Sequence, residues 1–81
     1  MSGSRDEAAF LGLLEAHGGA ILAALRHLCG NPHDADDVFQ ETAIRVWRGL
    51  RARPLLRNPR AYLMTIAYHC YVAHRGRQDP R

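Results

Sequence analysis

The stretch Asn31–Leu50, NPHDADDVFQETAIRVWRGL, decides the fold. Asn31 can cap the start of a helix, Pro32 suits the first helical position, and Asp34 puts a carboxylate in the first turn, where the helix dipole favours it. Side chains that can enter a core recur every three or four residues, which places them on one face. They are Ala35, Val38, Phe39, Thr42, Val46, Trp47 and Leu50. We expect Trp47 to be the anchor of that core.

The opposite face of this predicted helix is mostly polar, with acids near its start and arginines near its end. Its members are Asp36, Asp37, Gln40, Glu41, Ile44, Arg45 and Arg48. This order of charges suits the helix dipole. On composition alone, the face is explained as the solvated side of an amphipathic helix.

The segment before this helix also favours helix, because Ala and Leu are frequent and no stretch alternates with a period of two. We expect a first helix over Asp6–His17 and a break or kink at Gly18-Gly19. A second helix is expected over Ala20–Cys29, with Gly30 as its C-terminal cap. Both helices are interpreted as scaffold.

The segment after the central helix begins with a predicted basic loop, Arg51–Arg57, because Pro54 cannot continue a regular helix. Asn58-Pro59 then starts a last helix that reaches about Arg75. The expected buried stripe is Leu63, Ile66, Ala67 and Cys70. The polar arc carries Arg60, Tyr62, Tyr68, His69, Tyr71 and Arg75. Arginines between aromatic rings suit single-stranded nucleic acid, although rings at helical spacing also suit a core.

The chain has 81 residues, which suits one small domain with a single apolar core. We predict an all-α fold, a compact bundle of three to four helices over residues 1–81, with flexible ends at 1–5 and 76–81. No run of about 18 apolar residues indicates a membrane span, and the short polar N-terminus does not resemble a signal peptide. Cys29 and Cys70 form no CxxC pair, so a reduced cytoplasmic location is expected.

Charge is unevenly divided between the two parts of the chain. Up to Leu50 there are 4 Arg and 7 acids, a net charge of −3, whereas from Arg51 onward there are 7 Arg and 1 acid, a net charge of +6. Arginine pairs with phosphate and stacks on bases, so the basic part suits a polyanion. The acidic part suits a protein partner, and solvated surface charge is the alternative for both.

The segment DADDVFQETAIRVW within the central helix closely resembles region 2.2 of bacterial sigma factors of the extracytoplasmic-function group, whose usual form is close to DAEDLVQETFLRVW. In that family the helix packs on the clamp coiled coil, a helical hairpin of the largest subunit of RNA polymerase. The resemblance implies polymerase contacts by Asp37, Gln40, Glu41, Ile44 and Arg45.

The last helix resembles regions 2.3 and 2.4 of the same family. NPRAYLMTIAYHCYVAHRGR is similar to the form NPRAYLFRIARNLALDHLRR, and NPRAYL is frequent in the iron-starvation branch. In such factors the loop before this helix captures a base flipped from the non-template strand of the minus-ten promoter element. The resemblance implies DNA contacts by Arg57, Asn58, Arg60, Tyr62, Thr65, Tyr68, His69 and Arg75.

This chain departs from the family pattern at two positions that help to read the duplex upstream of the flipped base. His69 stands where the family usually has Asn, and Ala73 where it usually has Asp or Asn. Family members commonly have two adjacent arginines after the helix, and this chain has Arg75-Gly76-Arg77 instead. The sequence stops at Arg81, before a linker and region 4, so we expect an excised domain or a truncated factor.

The resemblance spans Phe10–Arg77 and implies a transcription initiation module that is not an enzyme. It would be domain 2 of a sigma factor, which binds the polymerase clamp and recognises and melts the minus-ten element. The expected partners are RNA polymerase core, promoter DNA and an anti-sigma factor, with no cofactor and no membrane insertion. The alternative is a sigma-like decoy or remnant that binds an anti-sigma protein without reading DNA, which His69 and Ala73 favour.

A metal site is a third possibility for this sequence. Cys29 with His33, and Cys70 with His74, have spacings at which each pair could bind Zn²⁺. Cys70 is better explained as a small core residue, and we expect no metal. No Gly-rich phosphate loop, GxSxG motif or carboxylate dyad indicates catalysis.

Overall fold

The computed structural model describes residues 4–52 and 57–78, which form three α-helices. Helix α1 is Ser4–Cys29, α2 is Pro32–Ala52 and α3 is Pro59–Gln78. Each helix packs against both of the others, and these two ranges contain no strand. The prediction of an all-α bundle of three to four helices is confirmed, with three. Parts of both ends that we expected to be flexible, residues 4–5 and 76–78, belong to α1 and α3.

The predicted break at Gly18-Gly19 is wrong, because α1 runs through both residues. Glycine inside a helix costs about 1 kcal/mol relative to alanine, which weakens a helix without ending it. Gly18 is buried, and a Cβ added there would lie 3.7 Å from Cζ of Phe39. Close packing of α1 on α2 therefore supports the helix where its own sequence is weakest.

Both Asn-Pro starts are helix caps, as predicted. Asn31 Oδ1 accepts a hydrogen bond of 2.8 Å from the backbone N–H of Asp34, and its Nδ2 donates one of 2.7 Å to the Asp34 carboxylate. Asn58 Oδ1 accepts one of 3.1 Å from the N–H of Ala61. Gly30, with φ of 80°, ends α1 in the left-handed conformation that glycine adopts at no steric cost.

The boundaries around the predicted basic loop differ from the expectation. Helix α2 continues past Leu50 to Ala52, so Arg51 and Ala52, which were assigned to the loop Arg51–Arg57, are helical. Residues 53–56 lie outside the described part of the chain. Helix α3 extends beyond Arg75, because nothing in the sequence after that residue removes a backbone donor before Pro80.

The core lies where the three helices meet and consists of small and branched side chains. Its buried members are Ile21, Leu25, Ala35, Val38, Val46, Leu50, Leu63, Ala67 and Cys70. Thr42 is also buried, and its hydroxyl donates a 2.7 Å hydrogen bond to the carbonyl of Val38. Most of the predicted face of α2 and stripe of α3 therefore point inward.

The expectation that Trp47 anchors the core, with Phe39 beside it, is wrong. Both rings are half-buried, and Trp47 packs edge-on against Phe10, with ring centroids 5.4 Å apart, at the seam between α1 and α2. Leu28 of α1 is 40% exposed, and Ile66, which was expected in the buried stripe of α3, is only partly buried. The interior of three close helices holds branched side chains, so the larger rings are displaced to its edge.

Helix α1 also meets simple criteria for a membrane-spanning helix. By length and composition alone, Arg5–Cys29 could cross a membrane. The core helix of a soluble protein meets the same criteria, so this finding is weak evidence. In this fold α1 supplies Ile21 and Leu25 to the core shared with α2 and α3.

Candidate partner-binding surfaces

The outer face of α2 brings together all five residues predicted to contact polymerase. Asp37, Gln40, Ile44 and Arg45 are exposed, and Glu41 is half-buried. With Arg48 they line an open groove of about 430 Å³, which we call the α2 groove. The groove combines carboxylates, arginines and one exposed aliphatic side chain, the mixture that a charged helical partner requires.

Glu41 is the centre of an ion-pair network that connects α2 to α3. Its Oε2 accepts a hydrogen bond of 2.9 Å from Nη2 of Arg77, and its Oε1 lies 3.7 Å from Nη2 of Arg45. Sequence reasoning did not identify Arg77 as part of this surface. The two residues are 36 positions apart, so no local pattern could have paired them.

An apolar groove adjoins the α2 groove, and sequence reasoning missed it as well. Phe10 and Leu11 of α1 face Ala43, Ile44 and Trp47 of α2 across a space of about 410 Å³, with Glu7 at its rim. Leu11 is 54% exposed and Ile44 is 51% exposed. Ile44 lines both grooves, so a polar and an apolar surface meet at this residue.

Helix α3 and the turn before it carry the residues predicted to contact DNA. All of these except Tyr62 are exposed: Arg57, Asn58, Arg60, Thr65, Tyr68, His69 and Arg75. From Arg60 to Arg75 they extend over about 22 Å of helix. Tyr62 is half-buried against the core.

The C-terminal half of α3 combines aromatic rings with arginine. The rings of Tyr68 and Tyr71 have centroids 6.2 Å apart. Arg75 lies over the Tyr71 ring, 5.9 Å from its centroid, and Nη1 of Arg75 donates a 3.5 Å hydrogen bond to the Tyr71 hydroxyl. Aromatic rings can stack with the bases of a single strand, and a guanidinium can pair with its phosphates.

The residues considered as zinc ligands do not form one site. In residues 4–52 and 57–78, no three His, Cys, Asp or Glu side chains are grouped as metal ligands. Cys70 is fully buried in the core, whereas His33 is exposed. His74 instead approaches Asp34, with Nε2 3.4 Å from Oδ1, in a small cavity that Cys29 also lines.

Cys29 is expected to react slowly with alkylating reagents. Burial, and secondly the negative charge of Asp34, raise the pKa of the Cys29 thiol above 9.0, and only the thiolate is nucleophilic. Folding therefore favours the neutral thiol. The contribution of Cys29 to the stability of the fold is present below pH 9, and it is lost as the pH rises through the raised pKa of the folded chain. At pH 8 we expect iodoacetamide to modify Cys29 more slowly in the folded chain than in urea, as measured by mass spectrometry of the peptide that contains Cys29. Equal rates in the two states would contradict the raised pKa.

The fold and its surfaces define a class: a small all-α domain with a charged groove on α2 and exposed arginine and aromatic side chains on α3. Residues 13–81 match the family model described as Sigma-70 region 2, and the chain belongs to that family. It is a sigma factor domain of transcription initiation, and the family is not one of enzymes. Comparisons with curated proteins and with solved structures gave no significant match.

Proposed function

We propose that this chain is domain 2 of a sigma factor of the extracytoplasmic-function group, closest to the iron-starvation branch, acting in the cytoplasm. Helix α2 binds the clamp coiled coil of the largest polymerase subunit, and α3 with its preceding turn binds the non-template strand of the minus-ten element. The observation that carries the proposal is the convergence of five motif residues on one groove. Asp37, Gln40, Glu41, Ile44 and Arg45 carry the motif resemblance and line the same surface.

The polymerase contact is supported by the chemistry of the α2 groove. Exposed Asp37 and half-buried Glu41 offer carboxylates to arginines of a partner hairpin, and Ile44 offers an aliphatic contact between them. Charged groups around an apolar contact give orientation and fast association. An anti-sigma factor that blocks initiation would cover this same groove.

The DNA contact is supported by the exposed basic and aromatic side chains of α3. Arg57, Asn58 and Arg60 surround the start of the helix, where a flipped base would be captured, while Tyr68 and His69 follow two turns later. Thr65 and Arg75 complete the surface along the helix, and Tyr62 supports its first turn. Melting is favoured when an unpaired base gains such a pocket.

A sigma-like decoy that binds only an anti-sigma protein is the second candidate. His69 is exposed on α3, where the family usually has Asn, and Ala73 is half-buried, where the family usually has Asp or Asn. These replacements remove the usual hydrogen-bonding groups at the duplex end, although imidazole can still donate or accept. The α2 groove would be retained in either case.

Binding to single-stranded oligonucleotides distinguishes the two candidates. Seven Arg after Leu50 provide salt-sensitive attraction to any strand. A base pocket adds selectivity at one position, and we expect roughly fivefold or greater preference there, with weaker discrimination upstream near His69 and Ala73. Fluorescence anisotropy with oligonucleotides changed one base at a time, at fixed physiological salt, measures this. A flat profile at every position would leave only electrostatic binding and favour the decoy.

A further inference from the structure

Gly49 of α2 leaves no room for a side chain while the Tyr62 ring holds its present position. A Cβ built on Gly49 would overlap the hydroxyl of Tyr62 and lie 3.3 Å from its Cζ. Other glycines within helices, such as Gly12, Gly19 and Gly76, have nothing within 4 Å of the same position. Gly49 therefore forms a notch in α2 that receives the end of the Tyr62 ring.

The notch holds the first turn of α3 against the last turn of α2. Tyr62 is the fourth residue of α3, and its backbone N–H donates a 3.1 Å hydrogen bond to the carbonyl of Asn58. The Asn58 side chain caps the same turn through the N–H of Ala61. A tyrosine side chain has two main rotatable bonds, so a Cβ at Gly49 can be accommodated only by a change in the χ angles of Tyr62 or by movement of this turn.

We propose that Gly49 is a positioning residue for the nucleic-acid surface. It acts through Tyr62, whose seated ring fixes the turn that carries Asn58 and Arg60 at the place of base capture. This inference rests on the proposed function of α3 for its DNA consequence, while the contact itself is a property of the fold. It assigns a role to a residue that belongs to neither predicted binding set.

A double-mutant cycle on thermal unfolding tests the contact. Gly49→Ala is expected to lower Tm by about 4–8 °C, because overpacking exceeds the gain in helix propensity. Gly19→Ala, in an exposed helical position with free space, is the matched control and is expected to raise Tm by a few degrees. In a Tyr62→Phe background the loss from Gly49→Ala should shrink to less than half, because the overlapping hydroxyl is absent. An equal loss in both backgrounds would overturn the contact.

The same variants, measured with the single-base oligonucleotide series below their unfolding temperatures, test the positioning role. Gly49→Ala is expected to reduce the base preference from roughly fivefold to below about twofold, while salt-dependent binding to any strand persists. Gly19→Ala should keep the full preference. If the Gly49→Ala variant keeps the full base preference, this inference is overturned and the proposed function stands. A flat profile for the unsubstituted chain would overturn the proposed function and the positioning role together.

Discussion

Glu41→Arg is expected to weaken binding of this chain to RNA polymerase core by about 100-fold or more, with only a small loss of stability. The proposed function places Glu41 opposite arginines of the clamp hairpin, so the substitution would place like charges opposite each other. Such a juxtaposition costs several kcal/mol, and each 1.4 kcal/mol corresponds to about tenfold in affinity. Binding of labelled chain to purified core enzyme measures the effect.

The fold should tolerate Glu41→Arg because the ion pairs it removes are at the surface. Arg77 is 57% exposed and Arg45 is half exposed, and exposed pairs contribute about 0–1 kcal/mol each. The new arginine would also lie near Arg45 and Arg77, and solvent screens that repulsion. We therefore expect thermal unfolding to change by no more than a few degrees.

Arg77→Ala is the matched control for this prediction. It removes the 2.9 Å contact with Glu41 and leaves the Glu41 carboxylate itself in the α2 groove. Its affinity for core enzyme should stay within a few-fold of the unsubstituted chain. If Arg77→Ala and Glu41→Arg weakened binding equally, the contact between α2 and α3 would explain the loss, and direct clamp contact by Glu41 would be excluded.

Local signals in the sequence were sufficient where a few neighbouring residues determine the structure. Asn31 and Asn58 were predicted as caps because the side chain of an asparagine before proline can satisfy a backbone donor three residues later, and both do so. The apolar face of α2 follows from its spacing in the same way, as the burial of Val38 and Val46 confirms.

Structural features that depend on how the helices pack against each other could not be predicted from the sequence. Whether Gly18-Gly19 breaks a helix depends on packing against Phe39, which is distant in the chain. The Arg77–Glu41 pair and the seating of Tyr62 on Gly49 also join residues of different helices. Hydrophobic size alone made Trp47 the expected anchor, because nothing local shows that a narrow three-helix interior excludes a large ring.

The core that the structure does show predicts which substitution unfolds the domain. Leu63 is 2% exposed and belongs to the core cluster formed by all three helices. Leu63→Ala is expected to cost about 2–5 kcal/mol, because the removed methyl groups leave a cavity in close-packed surroundings. At about 0.05–0.15 kcal/mol per residue a domain of this size has roughly 4–12 kcal/mol in all, so this loss is a large fraction.

Trp47→Ala is expected to cost less than Leu63→Ala, the reverse of the order that side-chain size suggests. Trp47 is half-buried at the seam with Phe10, so truncation leaves an open surface that water can fill instead of a closed cavity. Leu11→Ala, at a 54% exposed position of α1, is the matched control and should change stability by about 0.5 kcal/mol or less. Urea unfolding followed by circular dichroism gives the three values. A larger loss for Trp47→Ala than for Leu63→Ala would restore the tryptophan as the anchor of the core.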